Sequence, residues 1–426
     1  MRPDNTVKMK KKQIRPILLL LALVLALTLV LSACGGSQQN PPAGSGSAVP
    51  AQSGNTEPAT DGSTDADGVE KAATLLPAPE IAGLTLESTM QTQYASQFDV
   101  FYYSDGYKVL SISDGRQYLL VPEGKEVPEG ADENLFIIQA PLDHVYLAAT
   151  SAMALLLAVD AQDAVTMTGT NASGWFIPEA AELVESGKIK YAGKYSEPDY
   201  EMLVGEDCDL AIESTMILHS PKVQEMIEKM GIPVFIDRAS YETHPLGRTE
   251  WIRLYGAMFD KEEAAQEVFA QKAQIVEDMK NFTNTEKTVA YFNIKTDGTA
   301  QIRNPKDYIA TMIEIGGARY AFRDMKTDVT SASTLNISME EFYATARDAD
   351  YLIYNATIAA PIETVEDLYA LSDLFKDFKA VKEGNVWCGG NNMYQATDIV
   401  ADFILDVNNM VTGGSEEDMT FLKKVN

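Results

Sequence analysis

Cys34 is the residue whose setting forecasts covalent chemistry. It closes an apolar run, Ile17 to Leu31, broken only by Thr28, and a stretch of glycine, serine and proline follows it. A thiol so placed is a nucleophile suited to taking up a lipid chain. The other chemically interesting residues suggest holding rather than transforming a molecule. Arg248 and Arg303 can pair with acidic oxygens, while Trp175, Tyr195, Tyr241, Trp387 and Tyr394 offer rings that stack on flat faces. Thr150, Ser151, Ser214 and Thr215 add hydroxyls. Such a set fits a flat, anionic ligand.

Enzymatic signatures are missing from this inventory. The chain contains no G-x-S-x-G, H-E-x-x-H or G-x-x-x-x-G-K-[ST]. We therefore expect a binding protein, with a secreted hydrolase working through an Asp/Glu pair as one alternative. Three histidines, His144, His219 and His244, are too few for most His-based metal sites. A zinc- or manganese-binding receptor is the other alternative, and neither a resident metal nor a cofactor is expected. His244, just before Pro245, reads as a turn residue rather than a haem ligand. The spacing of Cys208 and Cys388 leaves open whether they bridge. With 62 acidic against 34 basic residues and a net charge of −28, the chain is not a nucleic-acid binder.

The elements that must position these residues begin with the leader. Arg2, Lys8, Lys10, Lys11, Lys12 and Arg15 precede the apolar run against one acid, Asp4. A basic head, an apolar run shorter than the ~20 residues of a spanning helix and small residues at its end make an export signal over residues 1–33. Residues 34–93 hold no aromatic side chain and are dominated at first by small and polar types. Such a segment cannot bury enough apolar surface to order itself, and it reads as a disordered tether.

Residues 94–248 read as an α/β lobe. It opens with a β-meander over Gln97 to Gly124, turned at Asp105-Gly106 and Asp114-Gly115. LFIIQAP then reads as a buried strand and VYLAATSAMALLLAVD as a helix. Strands at AVTMTG, CDLAIEST and IPVFIDRAS follow, alternating with helices. Residues 249–283 form a run free of proline that predicts one helix of ~50 Å lying between two halves of the molecule. In residues 284–426 the strand–helix alternation resumes. In each half an acid-led helix feeds a strand that begins with aspartate, at Asp209 and at Asp350. The expected fold is two α/β lobes with mostly parallel sheets joined by one long rigid helix and preceded by a small meander. Ligands of such sheets sit beyond the carboxyl ends of the strands.

Two resemblances add to this. Leu31-Ser32-Ala33-Cys34 resembles the lipobox of bacterial lipoproteins, which implies a diacylated Cys34 as the first mature residue. EPDYEMLVGEDCDLAIEST, GIPVFIDRASYETHPLGRTEWIRLYGAMFDKEEAAQEVF and NVWCGGNNMYQATDIVADFI resemble the substrate-binding lipoproteins of ABC importers for ferric siderophores, haem and cobalamin. Cys208 stands where that family usually has proline. The resemblance implies a class III periplasmic-binding-protein fold and a monomer tethered on the outer face of the cytoplasmic membrane. It implies capture of an iron chelate or similar small molecule between the lobes, and delivery to an ABC permease and its ATPase. It also implies that one acid on each lobe, Glu201 and Glu340, docks on permease arginines.

Overall fold

The computed structural model describes residues 74–326 and 333–426. The leader, Cys34 and most of the tether lie outside them. Residues 74–93 do not behave as tether. Leu86–Thr89 pairs antiparallel with Phe98–Tyr103, and Ile81 is buried. Tyr103 donates its hydroxyl to the Pro79 carbonyl at 2.6 Å, and Gln117 donates its side-chain amide to Pro77 at 2.8 Å. The segment lacks aromatics of its own, but it borrows them. Ile81 packs into a small core with Phe101, Tyr103 and Tyr107.

That core belongs to the meander sheet. After the edge strand come Phe98–Tyr103, Lys108–Ile112 and Gln117–Val121, antiparallel in turn, with both Asp-Gly turns where expected. Leu135–Gln139, the LFIIQ strand, joins this sheet parallel to Gln117–Val121. It does not open the first lobe. That place falls to Val145–Leu147, expected as helix but extended, with the helix starting only at Thr150. Its three residues are too few for a period to show, and only their buried place between two strands identifies them.

Among the described residues the first-lobe sheet runs Val234–Asp237, Leu210–Ser214, Val145–Leu147, Val165–Thr168 and Lys190–Tyr191, all parallel. Helices Thr150–Ala158, Pro178–Glu185, Tyr200–Gly205 and Pro221–Lys229 connect them. The second-lobe sheet has Thr288–Ile294, Tyr351–Asn355 and Val386–Gly389 parallel at its centre. Ala300–Arg303 and Thr334–Ile337 flank one side antiparallel, and Leu422–Lys424 the other.

The repeated strand-leading aspartates have a common job. Asp209 accepts from the backbone N–H groups of Asp143 and His144, at 2.8 and 3.0 Å, where the neighbouring strand begins. Asp350 accepts from the N–H and hydroxyl of Thr288, at 2.7 and 3.0 Å, where its own neighbour begins. Each carboxylate thus fixes the start of an adjacent parallel strand.

The long run between the lobes forms two helices, Pro245–Met258 and Glu262–Met279, not one over 249–283. Asp260 adopts φ 54°, a left-handed conformation that ends the first helix. Lys261 N–H returns to the Gly256 carbonyl at 2.7 Å. Gly256 has to be glycine here: a Cβ would come within 2.6 Å of the Ala265 Cβ, closing the gap between the two helices. The first helix is buried almost all round, whereas the second buries only Ala265, Phe269 and Val276.

Two buried carboxylates fasten this connector to the chain that enters the domain. Glu250 accepts from the N–H groups of Gln93, Tyr94 and Ala95, and from Arg253. Glu242 accepts from Ser96 and Gln97 N–H and from the Trp251 indole at 3.1 Å. Lys108 of the meander reaches Asp260 and Glu262 at the helix break.

Candidate ligand-binding cleft

The loops that follow the carboxyl ends of the two parallel sheets meet. Gln395, beyond Val386–Gly389, is buried between the lobes and accepts from Phe176 N–H at 2.7 Å. Its amide also donates to the Gly174 carbonyl at 2.9 Å. Phe176 and Tyr394 sit edge to face with ring centroids 6.1 Å apart. Lower down, the Thr249 hydroxyl donates to the Thr397 carbonyl at 3.1 Å, and the Arg248 guanidinium lies 3.6 Å over the Tyr308 ring. Two sets of strand ends therefore face one cleft, with α-helical connector at its base.

On the first-lobe wall, Thr150 and Ser151 are half-buried at the start of their helix, and Ser214 and Thr215 half-buried at the end of the Leu210–Ser214 strand. The Ser214 hydroxyl caps the turn after it by accepting from Met216 N–H. Trp175 is only 5 % exposed, and its indole donates to the Thr170 carbonyl. It props the loop that carries Phe176. Tyr195 tips a two-residue hairpin and is half-buried against the cluster of Tyr146, Leu203 and Ile217. That hairpin needs Gly193, whose φ is +78° and where a Cβ would fall 2.4 Å from the Glu197 carbonyl oxygen. Tyr241, 36 % exposed, carries the Arg238 guanidinium 4.1 Å over its ring. Arg248 is spent on the Ser240 and Glu242 carbonyls and on Tyr308.

Sequence reasoning passed over Glu213. It is fully buried beside Ser214, and neither carboxyl oxygen has a hydrogen-bond partner among the described residues. Burial pushes its carboxyl well above the usual range, which favours its neutral form. An acidic residue within an apolar strand was the available signal.

On the second-lobe wall, Arg303 is 6 % exposed and lies 3.8 Å from Asp307. It lines a shallow depression with Tyr291, Asn293, Gln301, Thr334 and Asn355, part of a wall rather than an enclosed cavity. Trp387 lies one strand over, buried in the middle of Val386–Gly389 rather than at its end. Tyr394 stands in the cleft against Phe176, its hydroxyl accepting from Gln395. The structure thus gathers Phe176, Tyr394 and Gln395 in one place and Arg303, Asn293 and Asn355 in another, and leaves Trp175 and Trp387 in packing positions. Glu201 and Glu340 are exposed in the first turns of their helices. Cys208 and Cys388 are free thiols, and burial pushes the Cys208 thiol up to about 12. Among the described residues no cluster of His, Cys, Asp or Glu is placed to hold a metal, and no helix is long and apolar enough to cross a membrane.

Residues 146–392, spanning both walls, match the periplasmic binding protein family model. The chain belongs to the periplasmic binding protein family. It is 24% identical over 343 residues to an uncharacterized lipoprotein of Methanocaldococcus jannaschii, covering 74% of this chain and 79% of that one. In fold it is similar to a periplasmic binding protein from Veillonella parvula, with a TM-score of 0.52 and 17% identity, over 68% of this chain and 97% of that one. A periplasmic haem-binding protein from Pseudomonas aeruginosa is similar at a TM-score of 0.52 and 13% identity, over 67% and 98%. The family's members are solute receptors rather than enzymes and work outside the cytoplasm, delivering ligands to ABC permeases.

Proposed function

We propose that this protein is a lipid-anchored extracytoplasmic receptor that captures a metal chelate between its lobes and passes it to an ABC permease. A ferric siderophore is the ligand class we favour, with haem and cobalamin as variants. The observation that carries the reading is the cleft itself: two parallel sheets present their carboxyl ends to each other, bridged by Gln395 and edged by Phe176 and Tyr394. Clefts between domains are favoured ligand sites. Here the connector's first helix is buried and clamped by Glu242 and Glu250, so closure is a modest movement of the lobes rather than a wide hinge. The resemblance of LSAC to a lipobox and the lipoprotein relative support anchoring through Cys34.

A thermal-shift panel with haem, cobalamin and ferric siderophores tests the ligand class. A true ligand at a hundred times its Kd adds about 2.7 kcal/mol of stability. No shift with any chelate would retire chelate capture. Cys34→Ser should abolish lipid labelling; normal labelling would remove the anchor. Glu201 and Glu340 each lie in a first turn, where an acid also complements the helix dipole. As docking residues, Glu201→Arg with Glu340→Arg should abolish uptake with ligand affinity intact, because like charges would then meet across the interface. Uptake surviving in cells with no other route would refute the docking role.

A further inference from the structure

Gln395 is fully buried, and its carboxamide grips the first lobe at two points. The side-chain oxygen accepts from Phe176 N–H at 2.7 Å, and the nitrogen donates to the Gly174 carbonyl at 2.9 Å. The two bonds hold the main chain on either side of Trp175. The nitrogen also donates to the Tyr394 hydroxyl at 3.1 Å. Turning the amide over would set oxygen against carbonyl and N–H against N–H, so its orientation is fixed.

Both partners of this grip are braced. The N–H groups of Gln395 and Ala396 return to the Asn392 carbonyl at 2.9 Å, and the Thr397 carbonyl accepts from Thr249 of the connector. In the first lobe, Asn171 accepts from Gly174 N–H at 3.0 Å, and the Trp175 indole donates to the Thr170 carbonyl at 3.2 Å. Those bonds fix the loop as far as Trp175. Beyond it, the Phe176 N–H is committed to Gln395.

Two rings depend on that commitment. Phe176 and Tyr394 come from opposite lobes and stand edge to face with centroids 6.1 Å apart. Each is only half-buried, whereas Trp175 between the gripped groups is packed in the core. Half-exposed rings at the carboxyl ends of two sheets are surface that a flat or apolar ligand face can cover.

We propose that Gln395 is a positioning residue for ligand binding: it sets Phe176 and Tyr394 side by side as one aromatic floor to the cleft, on which the ligand rests. This builds on chelate capture in the cleft. Gln395 belongs to the second lobe and grips the first, so the floor is complete only when the lobes stand together. Having no exposed surface, Gln395 acts through the two rings.

The experiment measures the affinity of the full purified chain for haemin, cyanocobalamin, ferric enterobactin and ferrioxamine B, and follows the probe that binds tightest. Contact with one ring is a matter of up to about tenfold in affinity, so Phe176→Leu with Tyr394→Leu should weaken that probe about tenfold or more. Gln395→Met, similar in size but unable to make either bond, should weaken it about tenfold, and Gln395→Glu, which keeps the acceptor for Phe176, should fall between it and the parent. Residues that act as one unit do not add, so Gln395→Met placed on the double ring variant should cost less than about twofold more. Without a probe, Gln395→Met should speed hydrogen exchange of the Phe176 amide at least about tenfold and leave that of Phe235, in a core strand, unchanged. Full additivity, about a hundredfold for the three substitutions together, would overturn positioning and make Gln395 a structural residue. An unchanged Phe176 amide would overturn it too. Affinity untouched by loss of both rings would overturn the floor while leaving chelate capture standing. Binding of none of the four probes would overturn both.

Discussion

The two lobes anchor the closed ends of their sheets in the same way and finish the cleft ends differently. Asp209 and Asp350 each pin the first residues of the adjacent parallel strand. Asp350 also holds Lys379 at 2.6 Å; burial works against its charge, but Lys379 and Thr288 outweigh it and keep its carboxyl below the usual range. Among the described residues no lysine or arginine pairs with Asp209, and burial leaves its carboxyl raised. At the cleft ends, the first lobe seals an acid, Glu213, inside the sheet, while the second lobe lines up neutral amides. A parallel sheet thus needs its strand starts tied down whatever it binds, whereas its strand ends are free to differ.

The comparison can be broken at several points. The largest effect should come from Asp350→Ala, which removes charge-assisted bonds to Thr288 and Lys379 and should cost about 2–3 kcal/mol by denaturant unfolding at pH 7. A depressed carboxyl stabilises above its unfolded value and loses that contribution as pH falls, so the cost should shrink below pH 4. A cost independent of pH would mean that Asp350 matters only for packing.

Glu213 should behave in the opposite sense. Its raised carboxyl stabilises the fold only while protonated, so stability is lost as pH rises above the ordinary carboxyl range, by about 1.4 kcal/mol per pH unit for one proton. Glu213→Gln should remove that slope, leaving the variant more stable than the parent at pH 8 and equal to it near pH 4. Parallel stability–pH curves would show that Glu213 is ionised and paired in solution.

Gln395→Ala removes its two hydrogen bonds to the first lobe and should lower stability by about 1–2 kcal/mol. The cleft should then open, read as a larger radius by solution scattering without ligand. An unchanged radius would assign closure to the Thr249 and Arg248 contacts instead. The smallest effect is expected for Asp209→Asn. Its carboxyl lacks the lysine that Asp350 has, and one amide oxygen can still accept from the His144 N–H, so the loss should stay within about 1 kcal/mol. A loss equal to that of Asp350→Ala would mean that the two strand starts depend on their aspartates alike, with or without a cation.

Much of the architecture was legible in local pattern. The Asp-Gly turns, the glycine and proline limits of helices and the strand–helix alternation all reflect backbone preferences that act over a few residues. The three-residue strand Val145–Leu147 was not, because a run so short has no period. The helix break at Asp260 was not legible: Gly256 is the one glycine of residues 249–283, and its role appears only when the Ala265 methyl comes to rest against it. The tether was read too long because residues 74–93 lack aromatics, and Ile81 packs on rings that come from Phe101, Tyr103 and Tyr107.

The candidate site divides along the same line. Composition and residue order determined a basic, apolar leader ending at Cys34, an acidic body, two α/β halves and a supply of arginines and aromatics near strand ends. Which of these reach the cleft was decided by tertiary structure. Trp175 and Trp387 turned inwards because the burial of a large ring outweighs its exposure at a rim. Arg303 met Asp307 four residues on, and its charge was cancelled there. Asn293, Gln301, Asn336 and Asn355 sit on four strands spread over residues 293–355, and strand register sets them side by side. A single residue's slip would turn each to the opposite face of its sheet, so register alone made four scattered amides into one surface.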